Sequence, residues 1–249
     1  MQKCLPLCPM KSGVLYLIPS PIGENDPAEV IPESTLKTVR TLSYFAVEEL
    51  RTVRRYLSKC GLKGMIEELH LYELNEHTSP ETIQGYLSIL TNGNDMGLIS
   101  EAGLPAVADP GAYLVELAQN NGIKVVPMIG PSSLMMALMA SGMNGQCFAF
   151  TGYLPVKQQE RKSRIREIEH LSVQFNQSQI VIETPYRNDQ LFADMIAVCS
   201  PATRICIAAD ISMPEQFIVT KTVSEWKKAI PQIGKRPCVF VLLGRQLGR

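Results

Sequence analysis

The 249-residue sequence predicts an α/β protein of two domains, the first on a mostly parallel sheet and the second on a mixed sheet. Three observations predict this. Up to about residue 130, short apolar runs alternate with helical stretches, the pattern of a parallel sheet covered on both faces. Several of those runs leave through Gly, Pro and small hydroxyl residues, which let a ligand approach the backbone closely at the carboxyl ends of strands. Beyond residue 130 the strand runs follow one another with less regular alternation, which suits a mixed sheet.

In chain order, residues 1–12 read as a short disordered leader, since a long apolar core and a small-residue cleavage site are both missing. The first domain is set at 13–128 and the second at 129–249. Residues 14–19 (VLYLIP) form a buried strand leaving through Ser20-Pro21-Ile22-Gly23. A helix follows at 32–42, then a strand at 44–47 closing on Glu48-Glu49. A basic helix at 51–59 is stopped by Gly61. Residues 68–74 are a strand, and Ser79 caps a helix at 80–90 with Pro in its first turn. The next strand ends at Ser100-Glu101-Ala102-Gly103, and Asp109-Pro110-Gly111 precedes a helix and a strand at 124–129. Gly130-Pro131-Ser132-Ser133 then opens a Met-rich helix at 134–140, read as core filling. Strands at 148–153, 180–182, 204–209, 216–222 and 238–243 and helices at 157–171, 189–199 and 225–229 complete the second domain.

Composition bounds the function. With 45% hydrophobic and 19% charged residues the chain is not disordered, and its 24 basic and 24 acidic residues leave no general pull on nucleic acid. A local basic patch could still provide one. Every apolar run falls short of the roughly 20 residues a membrane span needs. Cys4 and Cys8 have no second pair at zinc spacing, the three histidines are scattered, and most other cysteines sit in apolar runs. No metal is expected, and the setting reads as reducing and cytoplasmic. Neither a GxGxxG fingerprint, a P-loop nor a GxSxG elbow occurs. Two basic clusters stand out: Arg51, Arg54 and Arg55, and the run from Lys157 to Arg166. Each reads either as an RNA-contacting arm or as a solvated helix face with i, i+4 pairs.

Taken together and in order, PSPIG, SEAGLPAVADPG, MIGPSS, GYLP and ETPYR resemble the tetrapyrrole methylase superfamily, and within it the ribosomal RNA small-subunit methyltransferase I family. The resemblance spans residues 13–244. It implies S-adenosylmethionine as cofactor, held in a cleft between two α/β domains, a homodimer, and methylation of a cytidine ribose 2′-hydroxyl in the small ribosomal subunit. It assigns the cofactor to Pro21, Gly23, Ser100, Glu101, Ala102, Gly103, Ile129, Pro131, Ser132, Ser133, Ile182, Glu183 and Thr184. Several positions depart from the family pattern. Glu48-Glu49-Leu50-Arg51 stands for Glu-Asp-Thr-Arg, Asp210-Ile211-Ser212-Met213 for Glu-Leu-Thr-Lys, and Lys235-Arg236-Pro237 for Lys-Gly-Glu. A small molecule such as a tetrapyrrole, or a protein side chain, is the alternative acceptor; a cofactor-binding module without catalysis is the other.

Charged residues beside strand exits are the catalytic candidates. Arg51 or Arg187 would steady the acceptor or its phosphate, and Glu49 or Asp109 would accept the proton. For Asp109, capping of the helix after Pro110-Gly111 is the competing role.

Overall fold

The computed structural model describes residues 12–245. Residues 1–11 of the leader expected at 1–12, with the Cys4–Cys8 pair, lie outside the described residues. The chain divides into two compact units at Pro131/Ser132, a few residues beyond the boundary expected at 128/129.

In the first unit, β1 (Val14–Ile18), β2 (Tyr44–Val47), β3 (His70–Glu73), β4 (Met96–Ile99) and β5 (Lys124–Pro127) form one parallel sheet in the order β3-β2-β4-β1-β5. α1 (Pro27–Val30), α2 (Glu33–Val39) and α3 (Leu50–Leu57) cover one face, packing Leu36, Val39, Val53 and Leu57 against Ile18, Phe45, Val47 and Ile99. α4 (Pro80–Thr91) and α5 (Ala112–Asn120) cover the other, with Ile83, Leu90, Leu114 and Ala118 against Leu15, Ala46, Met96 and Leu98. Phe45 and Ala46 thus serve opposite faces, as the two-residue period of a strand requires.

This order creates a switch point. From β2 the chain turns outward to β3, whereas from adjacent β4 it turns the other way to β5. The loops after β2 and β4 diverge to opposite faces and leave a crevice beyond the carboxyl ends, where open α/β sheets bind ligands.

In the second unit, α6 (Ser133–Ser141), β6 (Phe148–Tyr153), α7 (Gln158–Phe175), β7 (Ser178–Ile182), α8 (Asn188–Val198), β8 (Arg204–Ala209), β9 (Phe217–Thr222), α9 (Val223–Trp226) and β10 (Cys238–Leu243) build a mixed sheet. Its order is β6-β7-β10-β8-β9, with β6 and β7 parallel and every other pair antiparallel. α7, α8 and α9 bury Ile165, Leu191, Phe192, Met195 and Trp226 against Val181, Ile205 and Phe240. Trp226 lies edge-on to Phe192 at 5.3 Å and donates its indole N–H to the Ile205 carbonyl at 2.9 Å.

Several boundaries differ from the sequence reading, four of them instructively. The strand expected at 124–129 ends at Pro127, so Ile129 lies outside it and is 72% exposed. The basic helix ends at Leu57, and Lys59 sits in the wide turn Ser58–Leu62, where Gly61 takes φ 104°. β7 starts at Ser178, two polar residues early, because Ser178 donates to the Asn144 carbonyl and Gln179 accepts from Thr151. α1 was not expected at all; Asp26 caps it by accepting from the Ala28 N–H. Among the described residues no helix is long and apolar enough to cross a membrane.

Candidate functional site

The parallel sheet of the first unit delivers its strand exits to one edge, and hydrogen bonds fasten them there. Ser20 and Gly103 exchange both backbone bonds, at 2.9 and 3.1 Å, and the Ser20 hydroxyl donates to the Ser100 carbonyl at 3.0 Å. Gly103 makes this possible at φ 81°, a conformation costly for any side chain. The third exit closes on the first: a Cβ at Gly130 would stand 2.2 Å from the Pro19 ring. The adjoining Ile129 carbonyl accepts from the buried Thr35 hydroxyl at 3.1 Å. Pro21, Gly23, Ser100, Glu101, Ala102, Gly103, Ile129 and Pro131 therefore belong to one connected rim.

Carboxylates gather at the switch point. Glu48 accepts from the Glu101 backbone N–H at 3.0 Å and gives its own N–H to the Ile99 carbonyl. Burial raises the Glu101 carboxyl, and Glu48 and Glu49 push it further. Asp109 is pushed up to about 6, first by burial and then by Glu48 and Glu101, while the Ser100 hydroxyl pulls the other way. Asp109 does not cap the next helix. α5 begins after Gly111, which has no side-chain cap bond, and the loop before it holds Ala106 and Ala108 at φ 63° and 66°. Such conformations persist only where the surroundings impose them.

Glu49 has the capping role instead. Its two oxygens accept from the Arg51 and Thr52 N–H groups at 3.0 and 2.6 Å, and the Thr52 side chain, followed by these backbone bonds, holds its carboxyl below the usual range. A carboxylate so engaged is a weak base. Arg51 is exposed on the first turn of α3.

A cavity of about 440 Å³ opens beside this rim, within the 300–1,000 Å³ range of small-molecule sites. Pro21, Gly23 and Glu101 line it together with Arg55, Tyr56 and Lys59, the last three absent from the expected site. The Tyr56 hydroxyl fixes that wall by donating to the Pro19 carbonyl at 2.8 Å. The four-residue step from Arg55 to Lys59 was the signal available for these two. A cavity of about 600 Å³ at the opposite, amino edge, around Val14, Tyr44 and Asp95, lies where sheets of this kind do not bind ligands.

S-adenosylmethionine fits the first unit's rim. It carries a sulfonium cation and an adenine, which call for carboxylates, backbone polar groups and a close approach to the main chain. Glu48, Glu101 and Gly103 supply these features.

In the second unit, Ser132 caps α6, accepting from the Met135 N–H at 3.4 Å, and Ser133 is the helix's first residue. Ile182 ends β7, and the next side chain, Glu183, is wholly buried. One Glu183 oxygen accepts from Thr184 N and Oγ1 and from Arg187 Nε and Nη2, at 2.7 to 3.2 Å; the other has no partner in the structure. The charge of Arg187 is therefore already matched within its own unit. Most cations of α7 and its flank are likewise engaged. Arg161, 3% exposed, grips Asp194 at 2.6 Å, Lys162 reaches the same carboxylate at 3.4 Å, and Arg164 and Lys157 pair with Glu167 and Glu160. The pairs are i, i+3 contacts and a buried long-range pair rather than the expected i, i+4 pairs, and Arg166 is exposed without an ion pair among the described residues.

Residues 34–227 match the family of Tetrapyrrole (Corrin/Porphyrin) Methylases. The chain is 31% identical over 240 residues to a Ribosomal RNA small subunit methyltransferase I from Pseudomonas aeruginosa, covering 95% of this chain and 81% of that protein. Its fold is similar to that of diphthine synthase, with a TM-score of 0.67 at 15% identity over 95% of this chain and 92% of the other. It is also similar to uroporphyrin-III C-methyl transferase from Thermus thermophilus in complex with S-adenyl homocysteine, with a TM-score of 0.56 at 16% identity over 93% and 97%. The chain belongs to the tetrapyrrole methylase family of S-adenosylmethionine-dependent methyltransferases, in the branch that its ribosomal RNA small subunit methyltransferase I relatives represent.

Proposed function

We propose that the chain transfers a methyl group from S-adenosylmethionine to a ribose 2′-hydroxyl of small-subunit ribosomal RNA. The observation that carries this reading is Asp109, a half-buried carboxyl with its affinity for a proton raised to about 6, set at the strand edge whose loops suit the cofactor. The likeness to the Pseudomonas aeruginosa protein supports the acceptor. When bound, the cofactor supplies a methyl group already activated on sulfur. The protein must align the acceptor, exclude water and remove a proton. Asp109 suits the last task better than Glu49, whose oxygens are occupied at the start of α3. Glu48 and Glu101 offset the sulfonium charge, and Arg51 reaches an acceptor phosphate. The same reading gives Ser132, Ser133 and Ile182 to Thr184 to the cofactor, and makes Arg187 a positioning residue acting through Glu183.

The enzyme works in the cytoplasm, where its acceptor is made, and as a homodimer. Exposed apolar side chains such as Met139, at 81%, support an interface, and sedimentation at micromolar concentration tests it.

The test of the acceptor is incubation with methyl-labelled cofactor and, in parallel, small ribosomal subunits, naked ribosomal RNA and a small-molecule extract. Label should enter ribosomal RNA at a linkage resistant to alkali, because methylation removes the hydroxyl that attacks the neighbouring phosphate. Label confined to the extract would move the acceptor to a small molecule. Cofactor binding without any transfer would leave a non-catalytic module.

A further inference from the structure

The basic residues of α3 and of the turn that prolongs it form a row. Arg51, Arg55 and Lys59 recur every four residues and therefore share one face, while Val53, Tyr56, Leu57 and Cys60 are buried on the other. All three are exposed, and among the described residues none of them forms an ion pair. Their neighbour Arg54 does reach a carboxylate, that of Glu67 at 3.9 Å. α7, by contrast, pairs three of its cations, Arg161, Lys162 and Arg164, and leaves Arg166 without an ion pair among the described residues. Like charges at i, i+4 repel each other and weaken a helix, so the unpaired row has a cost that fold stability does not explain.

We propose that this row receives the phosphodiester backbone of an RNA acceptor beside the cavity whose wall includes Arg55 and Lys59. The proposal rests on the reading of the acceptor as ribosomal RNA and deepens it. The methyl donor cannot account for the row, because it is a sulfonium cation without phosphate and its natural partners are the carboxylates at the switch point. The cavity thus has acidic residues at Glu24 and Glu101 and a basic wall at Arg55 and Lys59. A helix rises about 1.5 Å per residue, so the cations from 51 to 59 extend over about 12 Å. That is a track for a polyanion rather than a socket for one phosphate.

The experiment measures binding of a fluorescein-labelled single-stranded RNA by anisotropy across a salt series. Wild-type protein is compared with the Arg55→Gln/Lys59→Gln double variant and with Arg164→Gln on α7. Each phosphate contact to a single strand contributes about 0.7 to the slope of log K against log salt, so the double variant should lose about 1.4 from that slope. Its melting temperature should be no lower than that of the wild type, because one i, i+4 repulsion is removed, and Arg164→Gln should alter neither the slope nor the RNA affinity. An unchanged slope in the double variant, with wild-type RNA binding intact, overturns the proposal. So does tighter binding of the wild type to polyglutamate than to RNA at equal salt, which would make the row a protein contact. Absence of both RNA binding and ribosomal RNA methylation in the wild type is a different failure, that of the acceptor reading itself.

Discussion

Replacing Asp109 by Asn should move activity and stability in opposite directions. The carboxyl is raised from its usual 3.8 to about 6 by burial and by Glu48 and Glu101, so the folded state favours its neutral form. Stability from this group is fully present below about 3.8 and is lost as pH rises through about 6. Undiscounted, that displacement corresponds to about 3 kcal/mol. Solvent access to a half-buried group reduces it to about 1–2 kcal/mol. Asn keeps the shape and stays neutral, so Asp109→Asn should stabilise the protein by that amount at pH 8, raising its melting temperature by about 2–4 °C per kcal/mol. The gain should vanish near pH 4. Loss of a general base should lower kcat by about 10²–10⁴ and remove an acid limb near pH 6 from the pH profile of kcat/KM. The assay is transfer of labelled methyl to ribosomal RNA, paired with calorimetric melting across pH. A variant with wild-type turnover and the same acid limb, or one that melts lower at pH 8, refutes the role given to Asp109.

Other substitutions separate structural from functional carboxylates. Glu49→Gln should lower the melting temperature at pH 7, because its carboxyl is held low by the Thr52 side chain and the α3 N–H groups; the difference should fade as pH drops through the lowered value, and turnover should survive. Asp194→Ala would strand the buried Arg161 and should cost about 3–5 kcal/mol in urea unfolding, with RNA affinity of the folded fraction unchanged. Gly130→Ala places a methyl 2.2 Å from the Pro19 ring, so unfolding should show a loss of about 1–3 kcal/mol and calorimetry a weakened affinity for S-adenosylmethionine.

The strand exits were legible because Gly, Pro and hydroxyl residues punctuate apolar runs, and a parallel sheet sends every such exit to one edge. Four of the ten strands, Tyr44–Val47, Phe148–Tyr153, Arg204–Ala209 and Cys238–Leu243, match their sequence bounds residue for residue, since each is an apolar run with clear stops. The roles of charged side chains were less legible. Glu49 and Asp109 both stand beside strand exits, yet only the backbone direction after each makes one a cap and leaves the other a candidate base. Asp194 lies 33 residues beyond Arg161, and no local spacing announces that it neutralises α7. Conversely, the only carboxylates within four residues of Arg51 and Arg55 are Glu48 and Glu49, whose oxygens accept from backbone N–H groups. Burial explains the rest: polar Ser178 and Gln179 look like loop residues until Asn144 and Thr151 are seen to satisfy them.

The most direct test is amide hydrogen exchange with and without S-adenosylhomocysteine. Protection should concentrate in residues 20–23, 100–103 and 129–131, where three strand exits of the parallel sheet converge. Protection centred instead on residues 93–95 and 41–44, at the amino edge, would place the methyl donor at the wrong end of the sheet and contradict the site described above.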